Sequence, residues 1–238
     1  MVLYYVRHGD PIYTPNQLTP LGERQAEAVA KRLAVYGIDR IYSSPSNRAR
    51  QTAQPLCEIA KQEPMILDWA DETKHFFEIC QMDADGIRKW PFAHSVYRDV
   101  LNRQDVRDLG RFWHTHPDLV DLGLGAPIEY IQQETDAFLE SLGYRHDLAA
   151  NCYHQLWENN ERVALFAHEG VGVAFMSSLL DVPYPMLSTR FDMTHTGVTV
   201  IHFQEQYGSV IPRVLTYSND SHLYREGLPT KHQNRLYY

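Results

Sequence analysis

The chain reads as an α/β protein in three layers, a mainly parallel central sheet sandwiched between helices, with a helical insertion over the mouth of the site. Three observations predict this. Short apolar runs rich in β-branched and aromatic residues recur at 2–6, 39–42, 65–67, 162–166 and 198–203. Between them lie segments whose apolar residues repeat at helical spacing, and that alternation favours parallel strands with helices on both faces. The 238 residues, 44% of them apolar, supply one such domain with an insertion, or at most two small domains. We read residues 1–238 as one domain, with the insertion at about 73–125.

The elements follow in order. Residues 2–6, Val-Leu-Tyr-Tyr-Val, form a buried strand. Thr19 is placed to cap a helix with Pro20 at its first position, Leu21, Val29 and Leu33 share its inner face, and Gly37 ends it. After the strand at 39–42, Ser44-Pro45 repeats the cap-plus-proline start, and Ala49, Ala53, Leu56 and Ala60 line the second helix. A third strand lies at 65–67. Further on, 126–142 reads as a helix striped by Ile128, Ile131, Thr135, Phe138 and Leu142, and 146–158 as another carrying Leu148, Cys152, Leu156 and Trp157. A strand at 162–166, an apolar helix at 171–180, and strands at 198–203 and 210–216 joined around Tyr207-Gly208 close the fold. The stretch 72–125 fits no regular period. It mixes Phe76, Phe77, Trp90, Phe92, Phe112 and Trp113 with Arg88, Lys89, Arg98, Arg103, Arg107 and Arg111.

Composition narrows the function classes. A net charge of −8 argues against a general nucleic-acid surface, so a phosphate site has to be a local basic pocket. No apolar run approaches the roughly 20 residues that span a bilayer. There is no basic region followed by an apolar core at the start, so a secretory signal is not expected. Cys57, Cys80 and Cys152 show no Cys-x-x-Cys spacing and read as reduced thiols of a cytoplasmic protein.

The chemistry-bearing residues stand at strand ends. Arg7-His8-Gly9 follows the first strand, and His168-Glu169-Gly170 follows the strand at 162–166. Between them, Ser43-Ser44-Pro45-Ser46-Asn47-Arg48 follows the strand at 39–42. In open α/β sheets ligands sit outside the carboxyl ends of the strands, so these distant residues can converge. Arg offers a planar fork of donors to phosphate oxygens, and neutral imidazole is a competent nucleophile near pH 7.

Taken together, the three segments resemble the histidine phosphatase superfamily, in its phosphoglycerate mutase-like branch. Leu18-Thr19-Pro20-Leu21-Gly22-Glu23-Arg24-Gln25-Ala26 extends the likeness to the first helix start. The resemblance implies a phosphomonoesterase acting through a phosphohistidine on His8, with Arg7, Arg48 and His168 holding the nonbridging oxygens. It also implies a general acid for the leaving oxygen. In the mutase-like branch this is a Glu shortly after the third strand, which selects Glu72 here, with Asp71 second. One departure bears on this. That branch usually has Gly directly after the second His, where this chain has Glu169. The acid-phosphatase branch places its acid there, so Glu169 competes. In this superfamily, insertions at 73–125 commonly cover the active site.

Two other functions compete. One is phosphoglycerate mutase-type phosphoryl transfer, which the short link from His8 to Leu18 disfavours. The other is a catalytically weak regulatory or binding protein, disfavoured because both His and both Arg residues are retained. No cofactor and no catalytic metal are expected: His114-x-His116 is the only close His pair of note and lies in the insertion. Asp10 reads as orienting a loop or pairing with an Arg and not as catalytic, Arg50 as solvated, and His195 as able to approach the pocket. The expected partner is a small-molecule phosphomonoester, whether of a sugar, nucleotide or phosphoamino acid, with no nucleic acid and no membrane. The segment from Ser218 onward is read as packing on the surface or on a second subunit of a homodimer.

Overall fold

The computed structural model describes residues 1–230. Strand β1 (Val2–Arg7) leads through a short loop to helix α1 (Pro20–Tyr36), then to β2 (Arg40–Ser43), α2 (Asn47–Ala60), β3 (Met65–Ile66) and α3 (Glu72–Ile79). After an irregular stretch come α4 (Gly125–Ser141), β4 (Tyr144–Asp147), β5 (Cys152–Gln155), β6 (Arg162–Ala167), α5 (Glu169–Leu180), β7 (Val198–His202) and β8 (Arg213–Asn219). The six-stranded sheet has the order β8-β7-β1-β6-β2-β3. The four strands from β1 to β3 run parallel, while β7 and β8 are antiparallel at one edge.

Alternating side chains of the parallel strands feed two apolar layers. Tyr4, Val6, Ile41, Ala164 and Phe166 pack with Val29, Leu33 and Leu56 of α1 and α2. Leu3, Tyr5, Tyr42, Val163 and Leu165 pack with Ile128, Phe138 and Phe175 of α4 and α5. Thr19 caps α1 as expected, its hydroxyl accepting from the Gly22 N–H at 3.0 Å, and Gly37 leaves the helix with φ +72°. Helix α2 starts two residues later than Ser44-Pro45 implied. Ser46 holds the cap position without a side-chain bond, and the Ser44 hydroxyl accepts from the Ser46 N–H at 3.3 Å.

The expected helix at 146–158 is instead the antiparallel hairpin β4–β5, with His146 opposite Tyr153. The reason is local turn chemistry. The Asp147 carboxylate accepts from both the Ala149 and Ala150 N–H groups at 3.1 Å, and Asn151 takes φ +50°, which stops the Leu148-Ala149-Ala150 run from continuing as a helix. The hairpin then gains strands Ser209–Val210 and Glu205–Gln206 to make a second sheet, whose tip is Tyr207-Gly208. That turn therefore joins two short strands rather than β7 directly to β8, although β7 and β8 do pair.

His146 stacks on Tyr153 at 4.3 Å and bridges Asp136 of α4 (2.8 Å) and Asp181 at the end of α5 (2.9 Å). Burial pulls its pKa down, but the two carboxylate hydrogen bonds outweigh that and raise it to about 9. A His whose folded pKa lies above its unfolded value stabilises the fold fully below about 6.5, and that contribution is lost as pH rises through the folded value. We expect His146→Gln to cost about 2 kcal/mol at pH 6 and far less at pH 10. Urea melts of both proteins across that range check it.

The expectation of a helical insertion is only partly met. Residues 72–124 contain α3, a hairpin of Gln81–Met82 with Arg88–Lys89, short helices Tyr97–Leu101 and Gln104–Arg107, and 3-10 turns. Its second half belongs to the core: Trp113 is buried and stacks on Tyr184 at 5.0 Å, while Phe112 faces solvent. After β8, helix Ser221–Arg225 packs back on α1, with Leu223 against Ala28 and Lys31 paired to Glu226 at 2.8 Å. The remaining tail, residues 231–238, lies outside the described part.

Candidate active site

Register brings the strand-end residues together. Arg7 is opposite Ala167 across β1 and β6, and the His8 N–H donates to the Ala167 carbonyl at 2.9 Å, so His8 and His168 leave adjacent strands side by side. Their rings lie 5.1 Å apart at 61°. On the other side of β6, Ser44 N–H donates to the Phe166 carbonyl, and the first turn of α2 then presents Arg48. Past β3, Asp71 caps α3 by accepting from Thr73 N–H, which leaves Glu72 in the first turn. Asp71 is thereby committed to capping.

Close backbone approach sets the floor. A Cβ on Gly22 would lie 2.3 Å from the Asp10 carbonyl, so only Gly lets the start of α1 meet the loop after His8. Asp10 fixes that loop as expected. Its N–H donates to Gln25 Oε1 at 2.8 Å and its carboxylate accepts from Thr19 Oγ1 at 2.8 Å. Gly9 N–H donates to Thr52 Oγ1 at 2.9 Å.

Each imidazole is oriented by its far nitrogen. His8 Nδ1 is 2.8 Å from the Gly9 carbonyl, which can only accept, so the proton sits on Nδ1 and Nε2 keeps its lone pair. His168 Nε2 is 2.9 Å from Ser44 Oγ, while its Nδ1 is buried without a hydrogen bond and 3.4 Å from Glu72 Oε2. Burial first, then the Arg48 and Arg7 cations, hold both imidazoles well below the usual His pKa. His195 stacks on His8 at 5.8 Å and lies 3.4 Å from Asp10 Oδ1, so it does reach the site.

Both guanidiniums are buried and each meets a carboxylate. Arg7 Nη1 donates to the Met193 carbonyl and lies 2.9 Å from Glu169 Oε2. Arg48 Nη2 donates to Glu72 Oε2 at 2.8 Å and Nη1 to Asn16 Oδ1 at 3.2 Å, and Tyr13 stacks its ring 5.2 Å from the Arg48 fork. Glu72 Oε1 also accepts from Gly170 N–H at 3.0 Å. Burial raises the Glu169 carboxyl well above the ordinary carboxylate range; the Arg7 cation opposes this, while a hydrogen bond to Asp192 supports it. Within the site, the buried Arg7 Nε and Nη2, Arg48 Nε and His168 Nδ1 have no hydrogen-bond partner among the described residues. Unpaired buried donors of this kind are costly, and an oxyanion would satisfy them together.

One ligand atom each from His8, Glu72 and His168 falls within 4.8 Å of the others, a spacing compatible with a metal ion. The surroundings favour an anion instead. Two fixed guanidiniums flank those groups, and a dication there would face both. His114 and His116, the close pair in the insertion, do not enter the site; they lie beside Glu129 and Asp105. Arg50 is exposed on α2, as expected.

Residues 3–91 match the model of the histidine phosphatase superfamily (branch 1). Over that stretch the chain is similar to this superfamily. Phosphoserine phosphatase 1 of Hydrogenobacter thermophilus is 23% identical over 223 residues, covering 90% of this chain and 92% of that protein. Two solved structures share the fold. Phosphoserine phosphatase from Entamoeba histolytica, in complex with 3-phosphoglyceric acid, superposes with a TM-score of 0.57 at 21% identity, covering 93% of this chain and 98% of that one. Mycobacterial glucosyl-3-phosphoglycerate phosphatase with VO3 gives 0.56 at 20% identity, with 91% and 98% covered. Among the described residues, no helix is long and apolar enough to cross a membrane.

The sequence reading assigned no role to Tyr13 or Asn16 and read Ser44 only as a helix cap, yet all three support Arg48 or His168. Asn16 and Tyr13 sit in the loop closed by the pairing of Pro11–Ile12 with Gln17–Leu18. The shortness of that loop was the available signal.

Proposed function

We propose that this protein is a phosphomonoesterase working through a phosphohistidine on His8. The observation that carries the reading is the set of buried Arg7, Arg48 and His168 nitrogens without a hydrogen-bond partner, close to a His8 whose Nε2 keeps its lone pair. Arg7, Arg48 and His168 would take the nonbridging oxygens, and charge developing on them in the transition state is offset by these fixed donors. A bound phosphoryl dianion would also counter the cations that keep His168 neutral.

In the first step the His8 Nε2 lone pair forms a bond to phosphorus as the ester P–O bond breaks, and the leaving oxygen takes a proton from Glu72. In the second, water adds to phosphorus and returns its proton to Glu72, the P–N bond breaks, and inorganic phosphate leaves. No redox or metal step is needed for this balance, and we propose a metal-independent reaction. A cytoplasmic setting accords with three buried, unpaired thiols.

The test is phosphate release from p-nitrophenyl phosphate and a panel of metabolite phosphomonoesters, with EDTA present. Release that survives chelation is the expected result; loss in EDTA restored by a divalent ion would overturn the metal-independent form. No release from any ester would overturn the phosphatase reading.

A further inference from the structure

The cavity that opens over Arg48, Glu72 and Glu169 measures about 680 Å³, far more than a phosphoryl group fills, and its upper wall is aromatic. Phe76 of α3 meets Trp90 edge-on at 6.0 Å, and Trp90 stacks on Phe92 at 6.1 Å with only 11° between the rings. All three are half-buried, so ring surface faces the cavity they line. Trp90 also reaches the floor. Its indole covers Gly170 so closely that a Cβ there would fall 2.2 Å from the ring. The glycine after Glu169 thus lets the insertion close onto the start of α5, beside the backbone N–H that holds Glu72.

The cations of this wall are largely engaged. Lys89 Nζ is 2.8 Å from Asp83 and 2.6 Å from Asp85, and Arg88 gives Nη1 to the Cys80 carbonyl at 2.6 Å. Arg48 belongs to the floor. A second anionic group on a substrate therefore meets one cation of this wall without a carboxylate partner, Arg88, whereas a broad apolar group meets three rings.

Resting on the phosphatase reading, we infer that the preferred substrates are phosphomonoesters of alcohols carrying an aromatic or similarly broad apolar group. That group packs against Trp90, Phe92 and Phe76 while the phosphoryl group sits on His8. Small carboxylated esters make poor use of this wall. The bond cleaved and the products, alcohol and phosphate, are those already given.

Three esters separate binding by the wall from bond-breaking, because all release a primary alcohol: 2-phenylethyl phosphate, ethyl phosphate and O-phosphoserine. In the wild type, kcat/KM for 2-phenylethyl phosphate should exceed that for ethyl phosphate by about thirtyfold, the worth of burying one phenyl ring. Trp90→Ala should shrink that ratio about tenfold, and Trp90→Phe should keep most of it. Gly170→Ala, which displaces the indole, should act in the same direction as Trp90→Ala. If Trp90→Ala does not fold, the wild-type ratio decides alone. Equal kcat/KM for the three esters overturns the inference, as does a preference for O-phosphoserine that Arg88→Ala removes. Both results leave His8-dependent hydrolysis, and so the phosphatase reading, intact. Absence of His8-dependent release from every ester takes down both.

Discussion

His8→Ala should lower phosphate release by at least about 10⁴-fold, since it removes the atom to which phosphorus bonds. The geometry gives no substitute. His168 turns Nε2 toward Ser44, and its Nδ1 sits beside Glu72 as a ligand for oxygen. His195 is stacked on His8 and set beside Asp10. The variant should still fold. His8 Nδ1 makes one hydrogen bond, to the adjacent Gly9 carbonyl, and the β1–β6 pairing runs through the backbone. A melting curve close to wild type confirms this. Trapped wild-type enzyme should carry acid-labile, alkali-stable phosphate, absent from His8→Ala; a stable phosphoserine would contradict the mechanism. Burial and the flanking arginines hold His8 well below the usual His pKa. Its neutral form therefore persists below pH 6.5, and kcat/KM should not fall between pH 7 and 6 through protonation of His8.

How far the site could be read in advance depended on whether a residue's position follows from strand direction. Arg7, His8, Arg48 and His168 end or follow parallel strands, so alternation of strands and helices was enough to converge them. Glu72 converges too, because Asp71 caps α3 and fixes the next residue in its first turn. The Arg7–Glu169 pair was not legible, since Glu169 was weighed as an acid and not as a partner for a buried cation. Nor was the hairpin at β4–β5, where Asp147 and Asn151 override a composition suited to a helix. The insertion divides for a similar reason. Trp90 and Trp113 look alike in sequence, but one lines the cavity and the other is buried against Tyr184. Only tertiary packing separates them.

Glu72→Gln should slow hydrolysis of alkyl phosphates by about 10²–10⁴-fold and that of p-nitrophenyl phosphate by less than about tenfold. An alkoxide leaves poorly without a proton, whereas p-nitrophenolate needs little help, so the contrast reads proton donation itself. Two carboxyl groups compete for this part, and each is bound to a different arginine. Glu72 is tied to Arg48 and Gly170 N–H, and its oxygen lies with the His8 and His168 ring nitrogens within 4.8 Å. Glu169 is on the Arg7 side, and its burial raises its pKa, so it holds a proton at higher pH than an ordinary carboxyl. Glu169 has the raised pKa, while Glu72 has the position. Position should decide, because proton transfer requires hydrogen-bond reach first and a matched pKa second. Glu169→Gln should therefore slow alkyl and p-nitrophenyl esters alike, through a changed partner for Arg7. If it instead shows the leaving-group contrast and Glu72→Gln does not, the acid is Glu169, and this chain protonates its leaving group from the residue next to its second histidine.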